Sequence, residues 1–285
     1  MNKRLIASPI IFGVQGILNP LRASYLAAEC GFQGMQMLPF RRMGEPSMYG
    51  LPVCYYEGAW NSGTLQECLR GHFTSEFDRA LDTPTLIDWA FFPHGDRLTQ
   101  NMQQFDTCSS RPTEIVHTFR EFLRLRSLDV PCLLEVSPML GMNVLQLKMA
   151  LIQANIHERC LVLDTWHVLR HPTPVEARLH KLPPLESPFG NWEAAITSLA
   201  PHVAVVHVQP SRIHQSELLN FIEPSLRHFT MLGSILNLVA NQCSEVTDYV
   251  VEYSPGLKNS INTEKTRSIA TAIQERVRSI IMEPA

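Results

Sequence analysis

Short apolar runs recur along the chain and alternate with segments of helical composition and spacing. Short apolar runs bounded by turn signals are typical of buried strands, and their alternation with helical segments indicates parallel strands joined by crossover helices. The pattern predicts eight strands: Leu5–Gly13, Gly34–Phe40, Pro52–Ala59, Leu86–Pro93, Cys132–Val136, Cys160–Asp164, Val203–Val208 and Tyr249–Tyr253.

The segments between these strands carry helical spacing. They predict helices over Leu21–Cys30, Leu65–Leu81, Pro112–Leu128, Val144–Ile156, Trp192–Leu199, Glu217–Ala240 and Glu264–Met282. Gly31 and Pro131 follow the first and third of these helices, as expected for helix stops before a new strand. Eight strands with intervening helices in 285 residues match the α/β class and the (β/α)8 TIM barrel. No repeat or linker divides the chain, so we expect one domain spanning residues 1–285.

Ionisable side chains stand at the carboxyl ends of four predicted strands in the second half of the chain. The stretches CLLEVSP, LVLDTWH, AVVHVQPSR and YVVEYSPG place Glu135, Asp164, His207 and Glu252 there. A charged group cannot sit in a strand buried on both faces without a partner, so each belongs at the strand's exit. In a barrel all four exits open at the same mouth, where active sites lie.

Two glutamates, one aspartate and one histidine at one point repel each other or take up protons unless a cation neutralises them. Oxygen-rich ligands with one imidazole suit Mn²⁺ or Mg²⁺, and Co²⁺ or Zn²⁺ remain open. The alternative is a set of separate salt bridges in a metal-free barrel. Four such residues at the same end of the strands favour one divalent metal ion.

Composition limits the partners and the compartment. The chain is 45% hydrophobic and 18% charged with a net charge of -3 and a pI near 6.4, which gives no overall attraction to nucleic acid and favours a small-molecule partner. Its seven cysteines include no C-x-x-C pair, which argues against a disulfide framework or a structural zinc cluster and for a reducing, cytoplasmic compartment. A homo-oligomer is compatible with this composition.

The basic and apolar start MNKRLIASPIIFGVQGIL allows two interpretations, a buried strand or a secretory signal. Pro9 and Gln15 interrupt the run and no small-x-small cleavage site is obvious, so we expect a strand. No segment approaches the ~20 apolar residues of a membrane span.

The ordered quartet resembles the xylose isomerase-like TIM barrels, the superfamily of sugar isomerases and epimerases that also includes the endonuclease IV type of AP endonuclease. LLEVSP is similar to the family's L-x-E motif, LVLDTWH to its D-T-x-H, VVHVQPSR to its H-x-x-D-x-[RK] and VVEYSPG to its closing strand with Glu. The first half of the chain is similar only in its strand rhythm.

The resemblance implies roles for individual residues. Glu135, Asp164, His207 and Glu252 would bind the metal, His167 would face the substrate, and Arg212 would hold a substrate hydroxyl, carboxylate or phosphate. Pro210 stands where many members have Asp. The third strand lacks a histidine and no D-R-H stretch follows His207, so the three-zinc cluster of the AP endonucleases is incomplete.

Outside the quartet, His94 ends the fourth predicted strand in FFPHGD. It is a candidate metal ligand or substrate contact, and the alternative is a loop histidine that hydrogen-bonds the backbone.

A metal flanked by two glutamates suits proton transfer next to a carbonyl, because the ion stabilises the enediolate while one Glu removes a proton and the other returns it. We therefore expect a sugar isomerase or epimerase, or one acting on a small keto or hydroxy compound, with Glu135 and Glu252 as the acid/base pair. The alternatives are a metal-dependent hydrolase of a phosphodiester or lactone, and a barrel that has lost catalysis and serves as a partner.

Overall fold

The fold was obtained as a computed structural model of the 285-residue chain. It describes residues 2–13, 16, 19–37, 50–59, 85–88, 122–123, 132–136, 144–166, 192–210, 221–222, 231–253 and 263–284.

Eight parallel strands form the sheet. They are β1 (Arg4–Ala7), β2 (Gly34–Met37), β3 (Val53–Ala59), β4 (Thr85–Asp88), β5 (Cys132–Val136), β6 (Leu161–Asp164), β7 (Val203–Val208) and β8 (Asp248–Val251). Their hydrogen-bonded order follows the chain from β1 to β8, and β8 pairs in turn with β1. This is the topology of the (β/α)8 barrel that the strand count predicts.

The helices between these strands are α1 (Pro20–Glu29), α2 (Val144–Gln153), α3 (Trp192–Leu199), α4 (Met231–Gln242) and α5 (Thr263–Met282), with short 3-10 turns at Pro9–Phe12 and Ala200–His202. Helix α1 shows how the sequence sets an element's limits. The Asn19 side chain accepts a hydrogen bond from the backbone N–H of Arg22 at 3.0 Å, and Pro20 occupies the first turn, where its missing N–H costs nothing. Gly31 follows with φ +83°, a conformation that glycine adopts freely.

Contacts between residues divide the chain into two units. The first comprises Met1–Tyr56, Leu163–Trp166 and Val203–Ala285. Its strands pair in the order β3, β2, β1, β8 and β7, and the residues of β8 are all buried. Burial on both faces explains why β7 and β8 are mostly apolar. At Gly34 the backbone passes so close to the Cys54 thiol that an added Cβ would collide with its sulfur.

The second unit comprises Glu57–Val162 and His167–His202. Here β4 pairs with β5 in register from Thr85 opposite Cys132 to Ile87 opposite Leu134. The backbone N–H of Leu134 donates to the carbonyl of Cys160 at 2.8 Å. Leu147 and Leu151 of α2 and Ile196 of α3 are buried in this unit. Among the described helices of both units, none combines the length and the apolar character that crossing a membrane needs.

Most predicted elements are confirmed within a residue or two, and α3 is confirmed at both ends. The first strand is the main error, because β1 ends at Ala7 rather than at Gly13 and Pro9–Phe12 form a 3-10 turn. Proline fixes φ and lacks the N–H that a central strand donates, which ends the ladder.

Two further limits differ from the prediction. Helix α2 ends at Gln153 rather than Ile156, because Asn155 adopts a left-handed φ of 56°. Strand β8 begins at Asp248 and ends at Val251, so Glu252 follows the strand instead of belonging to it. The predicted helix over Glu217–Ala240 is confirmed from Met231 onward, and its earlier residues lie outside the described residues except for 221–222, which are helical. The predicted helices Leu65–Leu81 and Pro112–Leu128 lie outside the described residues except for 122–123, which are helical.

Candidate active site

Four polar side chains of the first unit are buried at the carboxyl ends of its strands. Asp164 is the last residue of β6, His207 the fifth residue of β7, Glu252 the first residue after β8, and Gln36 the third residue of β2. Each of these four residues is between 0 and 5% exposed. The strands of a parallel barrel end together, so their order brings these side chains to one end of the sheet.

Glu252 is held by two amide groups. Its Oε1 accepts a hydrogen bond from Gln36 Nε2 at 2.5 Å, and its Oε2 accepts one from Gln209 Nε2 at 2.7 Å. His207 Nδ1 lies 3.6 Å from the same Oε2, and His207 Nε2 lies 3.1 Å from Gln36 Oε1. We call Gln36, His207, Gln209 and Glu252 the rim cluster.

Asp164, at the end of β6, lies beside the rim cluster. Its Oδ1 accepts a hydrogen bond from the backbone N–H of Trp166 at 2.6 Å, and the backbone N–H of Gln209 donates to Thr165 Oγ1 at 3.1 Å. A carboxylate oxygen of Asp164 and a ring nitrogen of His207 lie within 4.8 Å of each other. The segments that follow β6 and β7 are therefore joined by a hydrogen bond, and Asp164 and His207 lie close together.

The donor set fits a divalent ion. Carboxylate oxygens and imidazole nitrogen are ligands for Mn²⁺, Co²⁺ or Zn²⁺, and Asp164, His207 and Glu135 are buried residues of these types. Two ligand atoms ~2.0–2.2 Å from one ion lie about 3–3.6 Å apart, and the His207 Nδ1 to Glu252 Oε2 separation of 3.6 Å matches this spacing. The hydrogen bonds from the two amide groups use two of the roughly four lone-pair positions of the Glu252 carboxylate, which leaves the others for an ion.

Of the remaining predicted site residues, the structure describes only Glu135. Glu135 is the fourth residue of β5 and is 1% exposed, within the second unit. His94, His167 and Arg212 lie outside the described residues.

Sequence reasoning missed Gln36 and Gln209. Both are neutral, whereas the predicted site rests on ionisable groups at strand ends. The signal was nonetheless present, because GMQM places a glutamine in a strand of apolar neighbours and HVQP places another just beyond His207. A buried amide needs a hydrogen-bond partner as a buried charge does, so the same test applies to it.

A second buried carboxylate stands at the other end of β8. Asp248, the first residue of the strand, accepts hydrogen bonds from Arg4 Nε at 2.8 Å and Nη2 at 2.6 Å, and from the Tyr55 hydroxyl at 2.5 Å. Burial and the hydrogen bond to Asp248 raise the pKa of Tyr55 far above its ordinary value. The hydrogen bond to Asp248 likewise raises the pKa of Arg4. We call Arg4, Tyr55 and Asp248 the basal triad.

No family model matches this chain, and no curated protein matches its sequence. Solved structures match it over nearly its whole length. An L-ribulose 3-epimerase has a TM-score of 0.53 at 10% identity and covers 99% of this chain and 95% of its own. The IOLI protein with a bound zinc atom has a TM-score of 0.55 at 8% identity and covers 99% of both chains. A D-allulose 3-epimerase from Methylomonas sp., in complex with D-allulose, has a TM-score of 0.55 at 11% identity, over 98% of this chain and 97% of its own.

This chain has a (β/α)8 TIM-barrel fold like that of these solved structures. In TIM barrels, residues at the carboxyl ends of the strands carry the chemistry, and those at the amino ends contribute stability. The rim cluster and Asp164 stand at the carboxyl ends, and Arg4 and Asp248 stand at the amino ends. The fold therefore identifies the rim cluster as the candidate active site and the basal triad as a stabilising contact.

Proposed function

We propose that this protein is a divalent-metal-dependent isomerase or epimerase of a sugar, or of a small keto or hydroxy compound. The observation that carries the proposal is Glu252, a buried carboxylate that is oriented by two neutral amides beside the ring of His207. Such a group can bind a cation or take a proton from a substrate. Solved structures that share the fold include epimerases of ribulose and allulose, which supports this class of reaction.

We propose Glu135, Asp164, His207 and Glu252 as the residues that hold the ion. Each is buried and each stands at the carboxyl end of its strand or directly after it. The bound zinc of the IOLI protein, which shares the fold, supports a metal in this class of barrel. When bound, a divalent ion supplies a Lewis acid that polarises a substrate carbonyl and stabilises the negative charge left by proton removal.

Glu252 and Glu135 are the proposed acid/base pair. Proton abstraction next to a carbonyl needs a positioned carboxylate, and the amide N–H groups of Gln36 and Gln209 hold Glu252 in one orientation before substrate arrives. Glu135 would return a proton to the substrate. His94, His167 and Arg212 remain predicted substrate contacts.

The described cysteines bear on the compartment. Cys30, Cys54, Cys160 and Cys243 form no disulfide, and three of them are buried. Reduced thiols in these four described cysteines support our proposal of a reducing, cytoplasmic setting.

The proposal is tested first by metal analysis of the purified protein, and then by a panel of ketoses in D₂O with Mn²⁺, Mg²⁺, Co²⁺ or Zn²⁺ added. The wild type is expected to turn over one of these ketoses and to place deuterium on the carbon next to the carbonyl. Glu252→Gln keeps the shape of the side chain and removes its basicity, so turnover is expected to be lost while some metal remains bound. The matched control is Glu245→Gln, the same change on an exposed side chain.

Other outcomes decide against the isomerase. Hydrolysis of a phosphodiester or a lactone, with no hydrogen exchange or label transfer at carbon, would identify a hydrolase. Label transfer must be followed with substrate labelled at the reacting carbon, because a base shielded from solvent can return the same proton. A protein that binds no metal and turns over none of these substrates would be a non-catalytic barrel.

A further inference from the structure

We propose that Gln36 is a positioning residue that selects the ring tautomer of His207 and the orientation of Glu252 at the same time. Gln36 is fully buried and touches both side chains, Glu252 through its Nε2 at 2.5 Å and His207 through its Oε1 at 3.1 Å. The consequence for metal binding rests on the proposed function, whereas the tautomer itself does not.

The Glu252 carboxylate fixes which way the amide of Gln36 points. An ionised carboxylate accepts hydrogen bonds and cannot donate them, so the NH₂ group of Gln36 must face Glu252. The amide oxygen then faces His207. This orientation follows from hydrogen-bond chemistry, because the opposite orientation would set an amide oxygen against a carboxylate oxygen.

The amide oxygen of Gln36 in turn determines which nitrogen of the His207 ring carries the proton. An oxygen acceptor 3.1 Å from His207 Nε2 requires a proton on that nitrogen. A neutral imidazole carries one N–H, so Nδ1 then holds the lone pair. Nδ1 is the ring nitrogen 3.6 Å from Glu252 Oε2, and a nitrogen lone pair beside a carboxylate oxygen forms a pair of cation ligands.

Gln209 provides the matched control, because it shares one contact of Gln36 and lacks the other. Its amide donates to Glu252 Oε2 at 2.7 Å, and its backbone N–H donates to Thr165. Gln36→Met removes both the hydrogen bond to Glu252 and the one to His207 while keeping a side chain of similar size. Gln209→Met removes the side-chain hydrogen bond to Glu252 alone.

The first readout is the ¹⁵N spectrum of the histidine rings in metal-free protein at about pH 8, above the ordinary histidine pKa of ~6.5. The His207 signals are assigned from a His207→Asn spectrum. In the wild type and in Gln209→Met we expect a protonated Nε2 and an unprotonated Nδ1. In Gln36→Met we expect the two nitrogen signals to move toward each other, because the tautomers interconvert.

The second readout is the affinity for Mn²⁺ and Zn²⁺ measured by calorimetry. Loss of a group that orients a metal-binding histidine typically costs 10–100-fold, so Gln36→Met is expected to bind these ions about 10–100-fold more weakly than the wild type. The thermal unfolding temperature of each variant shows that the fold is kept.

The two readouts separate failure of this inference from failure of the proposed function. A wild-type ring protonated on Nδ1 or on both nitrogens would overturn the inference, whether or not Gln36→Met folds. A Gln36→Met ring that keeps the wild-type tautomer would overturn it too. A wild type that shows the expected tautomer but binds neither ion would leave Gln36 as the group that selects the tautomer and would contradict the metal-dependent function.

Discussion

Strand β8 carries a buried carboxylate at each end, and the two are balanced in different ways. Asp248, at the amino end, is 3% exposed and meets the guanidinium of Arg4 through two hydrogen bonds. Glu252, just past the carboxyl end, is 5% exposed and meets two amides and the ring of His207. The basal triad therefore supplies a cation, and the described partners of Glu252 are two amide groups and an imidazole ring.

This difference shows which buried carboxylate is neutralised by a cation of the chain and which is positioned to take up a metal ion or a substrate proton. A carboxylate removed from water needs compensating charge as well as hydrogen bonds. The basal triad provides both within the chain, so its function is to stabilise β1, β3 and β8. The rim cluster orients its carboxylate and leaves lone pairs for a cation or for a substrate proton.

The strongest test of this contrast removes the cation of the basal triad. Arg4→Met leaves the buried Asp248 carboxylate with the Tyr55 hydroxyl, so we expect the free energy of unfolding to fall by about 2–3 kcal/mol. This value lies below the ~3–5 kcal/mol of a fully buried pair because the Arg4 side chain is 48% exposed. Urea unfolding measures the change, and Arg22→Met on the exposed face of α1 is the control. Equal costs for the two variants would show that Asp248 does not depend on its cation.

The next test adds the cation that the rim cluster is proposed to bind. At a metal concentration of 100 Kd, binding to the folded state raises the free energy of unfolding by about 2.7 kcal/mol. Asp164→Asn is expected to lose most of this increment, because a neutral amide does not replace the charge of the carboxylate. Asp248→Asn is expected to be less stable than the wild type but to keep the increment. Urea unfolding with and without Mn²⁺ measures both variants, and an increment that survives in Asp164→Asn would contradict the proposed ligand set.

A third test follows the alkaline titration of the basal triad. Burial and the hydrogen bond to Asp248 raise the pKa of Tyr55 in the folded state, so above the unfolded pKa of ~10 the folded state binds more protons than the unfolded state. Stability is therefore complete below about pH 10 and falls as pH rises, by up to about 1.4 kcal/mol per pH unit for this tyrosine.

Tyr55→Phe removes this contribution. Its stability should fall less steeply than that of the wild type between about pH 10 and 12, while Tyr249, whose pKa burial also raises, still contributes. Unfolding followed by circular dichroism across this range gives both slopes. Equal slopes would place the Tyr55 hydroxyl in water rather than against Asp248.

Much of the fold could be predicted from local pattern. The apolar runs of β5, β6 and β7 and the glycine stop after α1 each depend on a few adjacent residues, and the structure has them where the sequence predicts. The prediction erred where a local rule was overlooked. Pro9 ends β1 early, and Asn155 ends α2 early.

The sequence by itself determined the number of strands and the placement of Asp164, His207 and Glu252 at strand ends, because a charge inside a strand covered on both faces is costly without a partner. It could not determine which side chains hydrogen-bond one another. The contact of Gln36 with Glu252 joins residues 216 positions apart, and that of Tyr55 with Asp248 joins residues 193 apart. Only the tertiary structure decided that one end of β8 has a cation and the other has two amides, because pairing β1, β2 and β3 with β8 and β7 selects these partners from distant parts of the chain.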